Sequence, residues 1–125
     1  MNRDEALAWI DTLPAGGAKD RIISSTVNEI GSHSPEKASE LADSLPAGEL
    51  RSSTLSRLVQ DLKQQGNPAQ AFEASQLLID DQTRLTTTEN LLKGLKHKNQ
   101  EAALELLNRA KIPEADRERI RGTLE

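Results

Sequence analysis

Apolar residues return along this chain at intervals of three and four, in stretches long enough for helices and too long for strands. Ala6, Trp9, Ile10 and Leu13 stand at i, i+3, i+4 and i+7, which predicts a helix over 3–13 with that face inward. Pro14 stops it, and Ala15-Gly16-Gly17 supplies a turn. A second helix is predicted over 18–30, with Ile22, Ile23, Thr26, Val27 and Ile30 inward and Gly31 as its stop. Ser34 then reads as an N-cap and Pro35 as a first helical residue, where a missing N–H costs nothing. The same reading places helices over 35–45, 48–65, 68–78, 81–98, 100–110 and 114–124. Of these, 81–98 is the least regular, because Thr83, Thr86, Thr87 and Thr88 are poor helix formers. No segment alternates with period two, so strands are not expected.

The helices recur in pairs. Ser34-Pro35-Glu36-Lys37-Ala38 through Leu45-Pro46-Ala47-Gly48 repeats Arg3-Asp4-Glu5-Ala6 through Leu13-Pro14-Ala15-Gly16, 32 positions on. Degraded copies open at Asn67-Pro68-Ala69-Gln70-Ala71 and Asn99-Gln100-Glu101-Ala102-Ala103. Superimposed, the units give a column of alanine (Ala6, Ala38, Ala71, Ala103), a closing column (Leu13, Leu45, Leu78, Ala110) and an arginine column (Arg51, Arg84, Arg117). Small residues in register let neighbouring helix axes approach, and one hairpin cannot bury its apolar face alone, so the hairpins must stack. The expected fold is all-α: a right-handed α-solenoid of about four helix-turn-helix repeats of 32–33 residues. These fill one domain over 1–125, with units near 3–33, 34–66, 67–98 and 99–125.

Two segments, Gln65-Gly66-Asn67-Pro68-Ala69-Gln70-Ala71-Phe72 and Lys98-Asn99-Gln100-Glu101-Ala102-Ala103-Leu104-Glu105-Leu106-Leu107, resemble the middle of a tetratricopeptide repeat. There a Gly-Asp/Asn turn precedes an alanine on the second helix. The resemblance covers about half of each unit. The family's Trp-Leu-Gly-Tyr pattern is missing from the first helix, and Leu-Pro-Ala-Gly replaces its usual interhelix turn. Other two-helix solenoids, such as HEAT-type arrays, remain open. The resemblance implies protein–protein binding on a concave face, lined by one of the two helix sets.

Composition narrows the classes. Trp9 and Phe72 are the only aromatics, so the core is built from Leu, Ile, Val and Ala. Net charge is −4, all of it in residues 1–62, which argues against a general nucleic-acid binder. There is no cysteine, hence neither a disulfide framework nor a thiolate metal site. The opening Met1-Asn2-Arg3-Asp4-Glu5 lacks the plan of a signal peptide, and a cytoplasmic location is expected unless the chain is part of a larger exported protein.

Candidate chemistry is sparse. His33 and His97 fall at helix ends, where the helix dipole favours them, and neither has a partner at metal spacing. Asp80-Asp81 reads as acidic charge opening a helix. No phosphate loop or nucleophile elbow occurs, so no enzyme activity, cofactor or metal is expected. Two basic clusters, Lys93, Lys96, His97, Lys98 and Lys111, Arg117, Arg119, Arg121, carry the alternative of a nucleic-acid-associated regulator, without aromatics to stack on bases.

The expected task is a non-catalytic scaffold or adaptor that holds a basic or polar segment of another protein. Its docking strip is expected on the odd-numbered helices, at Glu40, Asp43, Glu73, Gln76, Glu105 and Asn108. If the other helix set lines the groove, the columns are Ser25, Arg57, Asn90 and Asn28, Gln60, Lys93. Trp9 is expected in the core. The uncapped ends imply a fragment of a longer array or self-association.

Overall fold

The computed structural model describes residues 3–125; Met1 and Asn2, which entered the signal-peptide reading, lie outside the described residues. Eight helices follow one another: α1 (Arg3–Asp11), α2 (Gly17–Ile30), α3 (Pro35–Asp43), α4 (Glu49–Gln64), α5 (Pro68–Ser75), α6 (Asp81–Lys96), α7 (Gln100–Arg109) and α8 (Glu114–Leu124). The protein is all-α, with no strand among the described residues. No helix is long and apolar enough to cross a membrane.

The odd-numbered helices stop short of their predicted ends for one shared reason. Leu13, Leu45, Leu78 and Ala110 each donate their N–H to the carbonyl three residues back, at 3.0, 3.1, 3.2 and 3.2 Å. This tightened last turn bends the chain away from the helix. Leu45, Leu78 and Ala110 thereby fold under as plugs, each at most 3% exposed. In the first two units the chain then passes through Gly16 and Gly48 at φ 148° and 147°, a region that side chains rarely enter. The third and fourth units lack that glycine. Asp80 and Pro113 take its place in ordinary extended backbone, and Asp80 caps α6 by accepting from Thr83 N at 2.8 Å.

Asn99 caps α7 as expected, accepting from Ala102 N at 3.0 Å. Ser34 and Asn67 hold the N-cap positions of α3 and α5 without making the side-chain cap bond. Gly31 differs from expectation. It stays right-handed at φ −54° and is needed for space, because a Cβ there would meet Leu58 Cδ1 at 2.9 Å. Gly66, at φ 78°, is the true left-handed stop, ending α4.

Most predicted inward positions are buried: Ile23, Val27 and Ile30 on α2, Leu55, Leu58, Val59 and Leu62 on α4, and Leu91, Leu92 and Leu95 on α6. Ala38, Ala71 and Ala103 are fully buried, so three of the four alanines in the column sit in tight contact. Trp9 corrects the sequence reading. It is 46% exposed, whereas Ala74 and Leu106 in its column are buried, because α1 has little packed against its outer side.

Substantial packing joins helices one or two apart in the chain. The apolar interior divides in two. One cluster runs from Ile10 through Leu78 with Leu91, and the other gathers Phe72, Leu92 and Leu95 with the inward residues of α7 and α8.

The arginine column binds the frame together. Arg51 Nη1 donates to Asp43 O at 2.6 Å and Leu45 O at 3.0 Å, and its Nη2 reaches Leu77 O in the next unit at 2.8 Å. Arg84 repeats the geometry, with Nη1 on Leu78 O at 2.8 Å and Nε on Lys111 O, one unit further, at 2.8 Å. Arg117 holds the carbonyls of Leu107, Ala110 and Ile112 in the same manner. Each guanidinium thus satisfies carbonyls freed where a short helix ends, and two of them stitch that turn to the following one.

Candidate protein-binding surface

Two faces carry columns of polar residues, and they differ in how far those groups are already engaged. On the odd-numbered helices, Glu40, Asp43, Glu73, Glu105 and Asn108 are exposed. Asp43 accepts from Arg51 Nη2 at 2.6 Å, Glu73 pairs with Arg109, and Asn108 accepts from Arg121 at 3.0 Å. Arg109 also lies 5.8 Å from the centre of the Phe72 ring, which holds it over α5.

Gln76 is not a surface residue. It is 8% exposed, its amide donates to Thr88 Oγ1 at 2.9 Å and Ser75 Oγ at 3.0 Å, and its carbonyl accepts from Lys111 N at 2.7 Å. Burial demanded those partners, and they consume the side chain. The odd-helix strip is therefore interrupted at its centre. Glu40 and Glu105 are its carboxylates without an ion pair among the described residues.

The even-numbered helices present a different surface. Ser25 and Asn28 on α2, Arg57 and Gln60 on α4, and Asn90 and Lys93 on α6 are all exposed. Of the six, Lys93 alone is engaged, pairing with Glu89 at 2.8 Å. The others make no hydrogen bond or ion pair with the described residues, so their polar atoms face water.

The even helices are fastened unevenly. Ser24 and Thr54 share a hydrogen bond of 2.7 Å between α2 and α4, and roughly two turns further along, Gly31 admits Leu58. Between α6 and α8, Arg119 grips Glu89 with two bonds of 3.0 and 2.9 Å, and Lys96 Nζ donates to Thr123 O at 2.8 Å. Glu89 is 16% exposed, and the hydrogen bonds from Arg119 and Lys93 hold its carboxyl down at about 2. Between α4 and α6 no hydrogen bond or ion pair forms among the described residues. A cleft of about 190 Å³ opens there between Val59, Gln60 and Lys63 on one wall and Thr87, Asn90 and Leu91 on the other. It continues into a slot of about 210 Å³ at the C-terminal ends of both helices, floored by Leu91, Leu95 and Pro68 and rimmed by Lys63 and Lys98.

The basic clusters are largely spoken for. Lys93, Arg119, Arg121 and Arg117 pair with Glu89, Glu89 and Asp116, Glu118, and Glu114, while Lys96 serves Thr123 O. No group of three or more His, Asp or Glu side chains is arranged to hold a metal among the described residues. His33 and His97 sit apart at the ends of α2 and α6, both exposed. The cleft was not visible in the sequence, because it depends on which of three successive helix seams lacks a cross-link. No protein-family model matches this chain, and no curated protein and no solved structure matches it either.

Proposed function

We propose that this protein is a non-catalytic scaffold of the helical-repeat type, a right-handed solenoid of about four hairpins that holds a segment of another protein against its even-numbered helices. The observation that carries this reading is the run of exposed, unengaged polar side chains across α2, α4 and α6: Ser25, Asn28, Arg57, Gln60 and Asn90. Loop-free helix faces of this kind give a partner a rigid row of donors and acceptors at low ordering cost. The repeated plug at Leu45, Leu78 and Ala110, with the arginines that clamp it, supports the stacked-repeat half of the proposal. Polar columns without aromatic anchors favour a contact of modest affinity, in which charge sets rate and specificity. The odd-helix strip of Glu40, Asp43, Glu73, Glu105 and Asn108 is the second face offered, for a basic segment. Binding of nucleic acid is disfavoured because most cations in the C-terminal half already hold acids or carbonyls of this chain.

The test is affinity capture with three baits: wild type, an even-face variant (Arg57→Glu with Gln60→Glu) and an odd-face variant (Glu40→Lys, Glu73→Lys, Glu105→Lys). A protein retained by wild type and the odd-face variant but lost from the even-face variant is the expected result. Loss from the odd-face variant alone transfers the partner to the other strip. A wild-type bait that retains only nucleic acid, or turns over a substrate, refutes the scaffold reading.

A further inference from the structure

The seam between α4 and α6 is an exception in an otherwise cross-linked frame. The flanking seams are pinned by Ser24–Thr54 on one side and by Arg119–Glu89 and Lys96–Thr123 on the other. Here no polar link forms among the described residues, and Leu91 of α6 packs into the first apolar cluster with the inward residues of α4. Gly94 on α6 faces α4 with no side chain, and its nearest neighbour across the gap is the aliphatic stem of Lys63, 3.9 Å from where a Cβ would stand. The result is a slot with an apolar floor, two ammonium groups at its rim and no acidic residue in its lining. Neither Lys63 nor Lys98 has an ion-pair partner among the described residues. In a chain of net charge −4 that pairs most of its C-terminal cations, two unpaired lysines over an apolar floor form a distinct site.

We propose that this slot is the specificity pocket of the scaffold: it takes one aliphatic side chain from an acidic segment of a partner protein, with flanking carboxylates on Lys63 and Lys98. Charge complementarity selects the occupant, since a basic or neutral segment would leave both ammonium groups unanswered. The apolar floor of Leu91, Leu95 and Pro68 selects an aliphatic anchor, and a volume of about 210 Å³ accommodates one branched aliphatic side chain. Leu91 and Leu95 shield it from below, and the missing side chain at Gly94 gives it depth. The proposal rests on the scaffold reading and deepens it by naming the partner's chemistry.

The probe is a capped peptide, Gly-Glu-Glu-Leu-Glu-Glu-Gly, titrated into the full chain and followed by backbone amide NMR. Saturable shifts at Gly66, Gly94 and Leu95 are expected, weakening with added salt. Exchanging the peptide's leucine for serine, or its glutamates for lysines, should weaken binding at least tenfold. Lys63→Glu with Lys98→Glu should do the same. Gly94→Leu should abolish the shifts by filling the slot, while leaving the fold intact because leucine is the better helix former.

Absence of saturable shifts, shifts centred on the odd-numbered helices, or equal binding of the lysine peptide would each overturn the proposal. So would self-association of the wild type that is lost on Ile79→Ser, because exposed Ile79 beside Asp80 and Asp81 offers the same chemistry from a second copy. A partner captured equally well by wild type and Gly94→Leu would remove the slot and leave the scaffold standing.

Discussion

Replacing Arg51 with methionine isolates the device that joins one hairpin to the next. The Arg51 side chain is 9% exposed, and its guanidinium donates to three backbone carbonyls, Asp43 O, Leu45 O and Leu77 O, besides the carboxylate of Asp43. Methionine keeps most of the aliphatic stem and its packing while deleting every donor. The ion pair itself contributes little, about 0.5 kcal/mol, because Asp43 is 54% exposed and rehydrates when released. The carbonyls matter more. Bonds from a charged donor contribute about 1.5 kcal/mol each, which makes roughly 4–5 kcal/mol for three. Two effects reduce the loss: Nε of Arg51 is buried without a partner, so its removal returns about 1 kcal/mol, and water reaches part of the opened turn. The expected net cost is roughly 3 kcal/mol, or about a 10 °C fall in Tm for a domain of this size.

Urea and thermal unfolding followed by helical circular dichroism, with coincident transitions as the two-state check, measure it. Arg51→Lys should lose about half as much, since one ammonium cannot serve both turns. Lys19 stands at the corresponding position of the first unit and carries no such bonds, so Lys19→Met should cost less than about 0.5 kcal/mol. An Arg51→Met cost below about 1 kcal/mol, or an equal cost at Lys19, would show that the turns are held by apolar plugging alone.

Four further outcomes follow from the same structure. Glu89 has its carboxyl lowered from 4.5 to about 2, so its pairing stabilises the protein above pH 4.5 and that stabilisation is lost as pH falls from about 4.5 to about 2. At full weight the shift is roughly 3 kcal/mol. With Arg119 and Lys93 each about half exposed, about 1 kcal/mol is expected from Glu89→Gln at pH 7, vanishing near pH 2, and a pH-independent cost would refute the assignment. Ala71→Leu should overpack the fully buried column and destabilise by roughly 1–3 kcal/mol, with a neutral result excluding a close contact there. Gly48→Ala meets no atom within 4 Å, so its expected cost of about 1–2 kcal/mol in urea unfolding is a pure measure of the φ of 147°. Trp9 is the sole tryptophan and 46% exposed, which predicts red-shifted native fluorescence that moves little on unfolding; a blue-shifted native band would return it to the core.

Where the sequence was read well, the signal was periodic and local. Apolar spacing, Leu-Pro-Ala-Gly turns and cap residues located all eight helices to within a few residues, including the threonine-rich α6. That helix is rescued by the Asp80 cap and by Thr88, which is buried against Gln76. Where it was read badly, the deciding partner lay elsewhere. Gln76 looked like a surface residue because its column neighbours are polar, yet Thr88 and the N–H of Lys111 draw it inside. Trp9 shares a column with buried residues, but among the described residues α1 packs chiefly against α2, which leaves that side chain 46% exposed. Helix periodicity assigns a face; it does not say whether anything lies against that face.

The same distinction explains why the candidate surface had to come from the structure. Columns repeated every 32–33 residues build the frame, and a repeated frame predicts equivalent seams between successive even helices. The cross-links are not repeated: a hydroxyl pair fastens α2 to α4, an ion pair fastens α6 to α8, and among the described residues nothing polar fastens α4 to α6. The two apolar clusters divide at α6, where Leu91 belongs to the first while Leu92 and Leu95 belong to the second. A seam held by apolar contact alone can open at its rim without breaking a hydrogen bond, which is what entry of a side chain requires. Binding in the slot should therefore stiffen the junction between the two clusters. Amide exchange along α4 and α6 should slow on saturation with the acidic peptide, and exchange in α2 and α8, already latched, should not change. Equal slowing in all four helices would mean that the peptide stabilises the whole fold and that the seam has no separate freedom.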